Sequence, residues 1–447
     1  MRIKSIRIKN YKGIKEEKFE FNDDFTLLIG DNSTGKTTIL EAITIAMGAY
    51  VYGCKIPSKG IIKDEVRTET TIVGDASLIR NMKFPVEIEC EAVIDNIDFN
   101  WHIDIVGERS NMSRKGAKKL IDYVQRKIYE PISNNHKQDI TLPIITYQSA
   151  GRMWTQKREK WEDPFKSSFS RFAGYIDCLE AESNMKMFVS WFKRMTFIEL
   201  QNMKNLQPKE IGEFNAVKRA VINFLSGLVG IEKVDIFYDI TNEDLMVKIS
   251  DEVIPLRLLS TGYRCAIGMV TDIAYRMAVL NPHLKENAAS ETNGIILIDE
   301  LDLHLHPKWQ WRIVEDIKHT FPKAQFIVTT HAPIVIASCN DDEIIRLYEQ
   351  DGEILHSTEP TPNGWLVEDI LIEKMDTSNR SKRAQEEIER LEWLYTKKIK
   401  TILTEEEKSE YNALIELYRN LPEGDPAVIV AKLNAIGNKV FGEKDNA

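Results

Sequence analysis

Residues 30–37 read Gly30-Asp31-Asn32-Ser33-Thr34-Gly35-Lys36-Thr37, which matches the phosphate-binding pattern G-x(4)-G-K-[ST]. The preceding run Phe25-Thr26-Leu27-Leu28-Ile29 is apolar and bounded, as a buried strand requires. From Thr38 to Ile43 the apolar residues fall at helical spacing. Strand, glycine loop and helix in this order separate the pattern from a chance glycine turn. The two glycines let backbone N–H groups face a polyphosphate, and the helix N-terminus adds partial positive charge. Lys36 is placed for β- and γ-phosphates and the Thr37 hydroxyl for Mg²⁺, with Thr38 next along the same helix. These residues predict a site for a nucleoside triphosphate, with ATP and Mg²⁺ as the expected pair.

The 447 residues exceed what one core usually holds, so two or more lobes are expected. Hydrophobic content of 43% and charged content of 29% describe an ordinary globular composition. No apolar run approaches the roughly 18 residues of a membrane span, and Met1-Arg2-Ile3-Lys4 lacks the apolar stretch of a signal peptide. Cys54, Cys90, Cys178, Cys265 and Cys339 are scattered without metal-ligand spacing, so buried or neutral thiols in a reducing cytosol are expected. A cytoplasmic location and no membrane partner follow. A net charge of −10 argues against a chain-wide footprint for nucleic acid and leaves room only for a local basic surface.

Three later segments extend the nucleotide reading. Gly294-Ile295-Ile296-Leu297-Ile298-Asp299-Glu300 is an apolar run ending in two acids, the form of a buried parallel strand that delivers carboxylates at its edge. Asp299 suits Mg²⁺, and Glu300 suits polarisation of an attacking water. Gln325 to His331 is a second such run, ending in a histidine that can reach a γ-phosphate or that water. Between them, His304 and His306 form an H-x-H pair without an evident third ligand, and a turn before a helix near Pro307 is the preferred reading. The segment Leu258-Leu259-Ser260-Thr261-Gly262-Tyr263-Arg264 precedes a long apolar helix from Cys265 to Leu280. From local sequence alone Ser260 is a helix cap, and Gly262 allows close approach of the backbone to a phosphate.

The ordered set of phosphate loop, L-S-x-G segment, I-D-E strand and T-T-H strand resembles the ABC-type ATPase heads of the RecF and SMC class, and the opening Ile3 to Ile14 is similar to their first strand. The resemblance implies an α/β P-loop fold: a mixed β-subdomain and a parallel sheet with flanking helices. It also implies that Ser260 and Gly262 form a signature motif reaching the γ-phosphate of an opposite subunit. The chain reads L-S-T-G-Y where transporters have L-S-G-G-Q, so a transporter role fits poorly. Blocks in residues 1–50, 142–154 and 255–375, including I-D-E-L-D-L-H-L-H-P-K-W-Q and F-I-V-T-T-H-A-P, resemble the ATPase subunits of Septu-type anti-phage systems, which also accompany some retrons. That subgroup implies self-association, an HNH-type nuclease subunit as partner, and a retron reverse transcriptase with its DNA in some systems. In ABC heads a glutamine at a strand end senses Mg²⁺, and Gln148 ends the run Leu142 to Gln148. The Septu-type subgroup favours an aromatic there, and Arg152 is the alternative polar contact. A RecF-like ATPase that binds DNA unaided and an ATP-bound scaffold with little turnover are the competing expectations.

The expected organisation is an N-terminal head part (1–154), a helical insertion (155–216), a C-terminal head part (217–375) and a helical tail (376–447). About 220 residues separate Thr37 from Ser260, too few for a long SMC arm. Alternating residues in 60–110, such as Val86 to Cys90, predict strands of a β-subdomain over the nucleotide. In the insertion Trp154, Trp161, Phe165, Phe169, Phe172, Trp191 and Phe192 occur among Lys157, Arg158, Lys160, Lys166, Arg171, Lys193 and Arg194. That mixture suits single-stranded nucleic acid, and it equally suits a packed hairpin with a solvated basic face. The tail predicts two helices, with Leu391 and Leu394 on an apolar stripe, a second start near Leu403 and fraying from Gly437. It holds no nuclease constellation. Gly262, at a helix start, is expected to lie outside the core, so that Gly262→Asp would disturb pairing of heads and leave the monomer folded.

Overall fold

A computed structural model describes residues 1–73, 77–134, 139–153, 170–180, 185–204, 211–230 and 233–418, with 421 and 425. The chain divides into two compact units, Met1–Ile370 and Leu371–Ala447. In chain order the first unit contains β1 (Arg2–Tyr11), β2 (Ile14–Glu20), β3 (Phe25–Gly30), α1 (Lys36–Gly53), β4 (Thr68–Val73), β5 (Ser77–Met82), β6 (Val86–Ile94), β7 (Ile97–Ile105) and β8 (Ile144–Gln148). There follow α2 (Met185–Lys204), α3 (Gly212–Val229), β9 (Val234–Asp239), β10 (Asp244–Ile249), β11 (Glu252–Pro255), α4 (Thr261–Leu280), β12 (Gly294–Ile298), α5 (Ile313–Thr320), β13 (Ala324–Thr329), β14 (Ile344–Gln350) and β15 (Glu353–Glu359).

The six-stranded central sheet has the order β15-β14-β3-β13-β12-β8. Its strands are parallel except for β15, which closes one edge as an antiparallel hairpin with β14. β8, β12 and β13 are buried throughout, which is why they read as mainly apolar runs with no alternation. The register sets Ile298 opposite both Val328 and Gln148, and Thr329 opposite Leu28. The carboxyl ends of β3, β8, β12 and β13 therefore finish side by side, the place where open parallel sheets bind ligands.

The expected β-subdomain is present as the antiparallel sheet β2-β1-β6-β7, in which β6 alternates buried and half-buried residues along its whole length. Buried Gln325 stitches this sheet to the parallel one. Its side chain accepts from Ile3 N at 2.8 Å and donates to the carbonyls of Ile3 and Asn22, each at 2.8 Å. A second tie runs from the Trp101 indole N–H to the carbonyl of Ala46 in α1, at 3.0 Å.

The described part of the insertion favours packing over base stacking. Phe172, Trp191 and Phe192 are buried, and Trp191 meets Phe214 and Tyr275 edge-on with ring centroids 5.9 and 5.3 Å apart. Lys193 pairs with Glu243 at 3.0 Å. Trp154, Lys157, Arg158, Lys160, Trp161, Phe165, Lys166 and Phe169 lie outside the described residues. α3 runs through the expected boundary at residue 216, because its apolar face continues into the same aromatic cluster through Phe214, Val217 and Val221.

In the second unit α6 (Lys382–Lys400) and α7 (Glu405–Leu417) form the expected helical pair around Leu394, Leu403 and Tyr411. Thr404 and Glu407 cap α7 reciprocally. The segment from Gly437 falls outside the described residues. All five cysteines are buried and none is in a disulfide; burial pushes the thiols of Cys178 and Cys339 up to about 12, so they stay protonated and unreactive. Among the described residues no helix is long and apolar enough to cross a membrane.

Gln325→Leu tests the join between the sheets. It orphans the buried N–H and C=O of Ile3, at about 1–3 kcal/mol for each group. Denaturant unfolding should show a lower midpoint; an unchanged midpoint would mean the two sheets are held without it.

Candidate functional site

β3 ends at Gly30 and the chain turns at once. Gly30 has φ 143°, and a Cβ there would sit 2.3 Å from the Leu347 carbonyl oxygen of β14, so only glycine fits. Thr34 closes the loop, donating its hydroxyl to the carbonyl of Asp31 at 2.9 Å, while Asp31, Asn32 and Ser33 are exposed. α1 begins after Gly35, whose φ of 92° lies in the left-handed region. Its first turn carries no side-chain cap and no acidic residue, so its N-terminal N–H groups keep their dipole for an anion.

Lys36 is 7% exposed, and its ammonium donates to the carbonyls of Gly30 at 2.7 Å and Asp31 at 2.8 Å. Burial holds its pKa below the usual lysine value, against the attraction of Asp299, Asp31 and Glu300. A cation curled onto carbonyl oxygens in a partly desolvated loop gains most from an incoming polyphosphate.

Asp299 is 4% exposed at the end of β12. The Thr37 hydroxyl lies 3.2 and 3.0 Å from its two oxygens, and the Thr329 hydroxyl donates to Oδ1 at 2.7 Å. A threonine hydroxyl beside a buried carboxylate is a hard-oxygen pair that fits Mg²⁺. Glu300 follows with φ 51°, and its N–H donates to Thr329 Oγ1 at 2.8 Å. Thr330 donates to Asp302 at 2.5 Å, and the same Oδ1 accepts from His331 N at 3.3 Å, so His331 is half-buried at the end of β13 beside the acids. Lys36 and Thr37, at the start of α1 after β3, thus lie beside Asp299 and Glu300, which follow β12, and His331 follows the neighbouring β13.

Gln148 is adjacent through its backbone, whose carbonyl accepts from Asp299 N at 2.8 Å. Its side-chain amide instead donates to Asp272 of α4 at 2.7 Å. Asp272 pairs with Arg276 at 2.8 Å, and Arg276 donates to the carbonyls of Gly174 and Ile176, each at 2.9 Å. Burial, the largest single influence, would lower the Arg276 pKa; Asp272 with Cys178 and Tyr275 together outweigh it, and the net shift is upward. Neither Asp272 nor Arg276 stood out in the sequence, since an i,i+4 acid–base pair on a helix is ordinary. The Arg152 side chain lies outside the described residues.

The signature segment departs from expectation in two ways. Ser260 occupies the N-cap position of α4 but makes no capping bond with its side chain, and it is exposed. Gly262 is buried: a Cβ there would lie 2.6 Å from the His304 carbonyl oxygen and 3.3 Å from the Trp309 ring. The expectation that Gly262 lies outside the core is therefore corrected, because the segment packs on the turn following Asp299-Glu300. In that turn His306 caps a short helix, Pro307–Gln310, accepting from Lys308 N at 3.2 Å. Among the described residues no hydrogen bond ties Ser260 to the phosphate loop of its own chain. Gly262→Asp should consequently destabilise the isolated chain, by the 1–3 kcal/mol typical of overpacking or more. Thermal unfolding of the monomer measures it; an unchanged melting temperature would contradict the packing.

A sequence-family profile described as "AAA domain" matches residues 5–226, and one described as "AAA domain, putative AbiEii toxin, Type IV TA system" matches residues 251–337. The chain is similar to the Retron Vc95 probable ATPase of Vibrio cholerae serotype O1 biovar El Tor, with 28% identity over 435 residues, covering 87% of this chain and 81% of that one. It is 26% identical over 434 residues to the Retron Ec83 probable ATPase of Escherichia coli, covering 83% and 76% of the two chains. The Septu protein PtuA of Bacillus thuringiensis is 26% identical over 397 residues, with coverage of 83% and 84%. With the phosphate loop, paired acids and parallel sheet in place, the chain has the fold of a P-loop ATPase and is similar to the retron and Septu ATPases along most of its length.

Proposed function

We propose that the protein binds and hydrolyses ATP in composite sites between two copies of the chain, and acts as the regulatory subunit of an anti-phage defence complex. The convergence of Lys36, Thr37, Asp299 and Glu300 at one sheet edge carries the first part. In this reading the exposed loop of Asp31, Asn32 and Ser33, with Thr34, Gly35 and Thr38, surrounds the phosphates. Lys36 turns from the Gly30 and Asp31 carbonyls to the β- and γ-phosphates. Thr37 and Asp299 hold Mg²⁺, with Gln148 as an outer contact once released from Asp272. Glu300 accepts a proton from the attacking water, and His331 steadies the γ-phosphate.

Exposed Ser260, uncapped and free of its own phosphate loop, supports a role across a dimer interface, with Gly262 shaping the turn behind it. The relatives' names, with retron and Septu systems among them, support the defence role. A separate HNH-type nuclease subunit is the proposed effector, with a reverse transcriptase and its DNA as a further partner where a retron is present. The burial of Phe172, Trp191 and Phe192 weighs against base stacking on those residues, and so favours this reading over a RecF-like protein that grips DNA by itself.

Lys36→Ala should weaken ATP binding by roughly 10-fold or more, since charge-assisted contacts contribute about 1.5–3 kcal/mol each. Calorimetry showing unchanged affinity would remove the phosphate loop from the account. Glu300→Gln should keep binding and slow hydrolysis on the order of 100-fold, as for a lost general base. The interface test uses Ser260→Glu, because Ser260 is exposed and the variant should fold. ATP-linked dimerisation should be lost in sedimentation, since ATP and pairing must strengthen each other equally. Mixing it with Lys36→Ala leaves one intact composite site per mixed dimer and should restore activity; no complementation would sink the two-chain site.

A further inference from the structure

We infer that Thr329 is a positioning residue of the nucleotide site: its hydroxyl orients the Asp299 carboxylate toward the cation and fixes the backbone turn that presents Glu300. The inference rests on the proposed reading of the site as an ATP site.

Thr329 is the last residue of β13 and 1% exposed. A hydroxyl has one proton to give, and here its direction is determined. It donates to Asp299 Oδ1 at 2.7 Å, because its other neighbour, the Glu300 N–H at 2.8 Å, is itself a donor and must be accepted. The Thr329 carbonyl then accepts from Leu301 N at 2.9 Å. One residue therefore grips the carboxylate of Asp299 and the next two backbone amides of the neighbouring strand.

That grip meets two needs. Asp299 is buried, and a donor on Oδ1 from the β13 side fixes its plane while Oδ2 stays with Thr37 on the phosphate-loop side. Glu300 sits at φ 51°, a left-handed conformation that strains a side-chain-bearing residue and persists only where the surroundings hold it. Without it the chain would continue as a strand and the Glu300 side chain would leave the edge. A second brace, Asp302 with the Thr330 hydroxyl and His331 N–H, joins the same two segments. The fold at this edge therefore survives loss of the Thr329 hydroxyl, while the alignment of the two acids does not.

Thr329→Val keeps the shape and removes the hydroxyl; Thr329→Ser keeps the hydroxyl and removes the methyl. ATP affinity is measured by calorimetry with Mg²⁺ and with EDTA, alongside turnover and thermal unfolding of the full chain. In EDTA all three proteins should bind ATP alike. With Mg²⁺ the valine variant should lose about 10-fold in affinity, the size of one lost charge-assisted hydrogen bond, and its turnover should fall at least as far. The serine variant should stay within about 3-fold of wild type on both counts. If the valine variant fails to fold, Thr329→Cys, close in size with a weak donor, takes its place with an intermediate loss expected. A hydroxyl-free variant that matches wild type with Mg²⁺, or a serine variant as impaired as valine, overturns the inference. A wild type that binds no ATP under either condition instead overturns the ATP reading, and this inference with it.

Discussion

The buried carboxylate of Asp299 is the constraint around which the head is arranged. A charged group at 4% exposure is costly unless donors and an opposite charge surround it. Here Thr37 comes from the phosphate-loop helix, Thr329 from the neighbouring strand, and the Lys36 ammonium adds its attraction. The suppliers come from two segments, the start of α1 after β3 and the end of β13, so satisfying this one group helps to hold β3, β12 and β13 in register. The same donors are those a bound Mg²⁺–nucleotide would exploit, which joins folding and function at one residue.

Behind that edge, three buried polar side chains join layers. Gln325 closes the seam between the two sheets, Trp101 ties the β-subdomain to α1, and Arg276 ties α4 to the carbonyls of Gly174 and Ile176. The last of these shares Asp272 with Gln148, so a polar chain runs from beside Asp299 into the described part of the insertion. These are buried or part-buried bonds between segments far apart in sequence, and each would leave orphaned groups if broken.

The parts legible in the sequence were those whose chemistry is local. Residues 30–37 carry their own geometry, and β12 and β13 announce burial by unbroken apolar runs ending in Asp-Glu and Thr-Thr-His. What escaped notice depended on partners remote in the chain. Gly262 looked like a free helix start because nothing nearby reveals that the His304 carbonyl lies against it. Gln148 looked like a cation sensor, and only the fold shows Asp272 holding its amide. Thr329 carries no signal in its own run, since the carboxylate it holds, Asp299, lies thirty positions earlier. Among the interleaved aromatics the sequence left packing and base stacking open, and for Trp191 and Phe192 burial against Phe214 favours packing.

The central claim is that one site is completed by two chains. The structure of Glu300→Gln trapped with Mg²⁺–ATP tests it most directly. The account predicts two nucleotides per pair of chains, each γ-phosphate lying between Lys36 of one chain and Ser260 of the other, with the cation on Thr37 and Asp299. Nucleotide bound to a single chain with Ser260 still facing solvent, or bound away from the carboxyl edge of the parallel sheet, would contradict it.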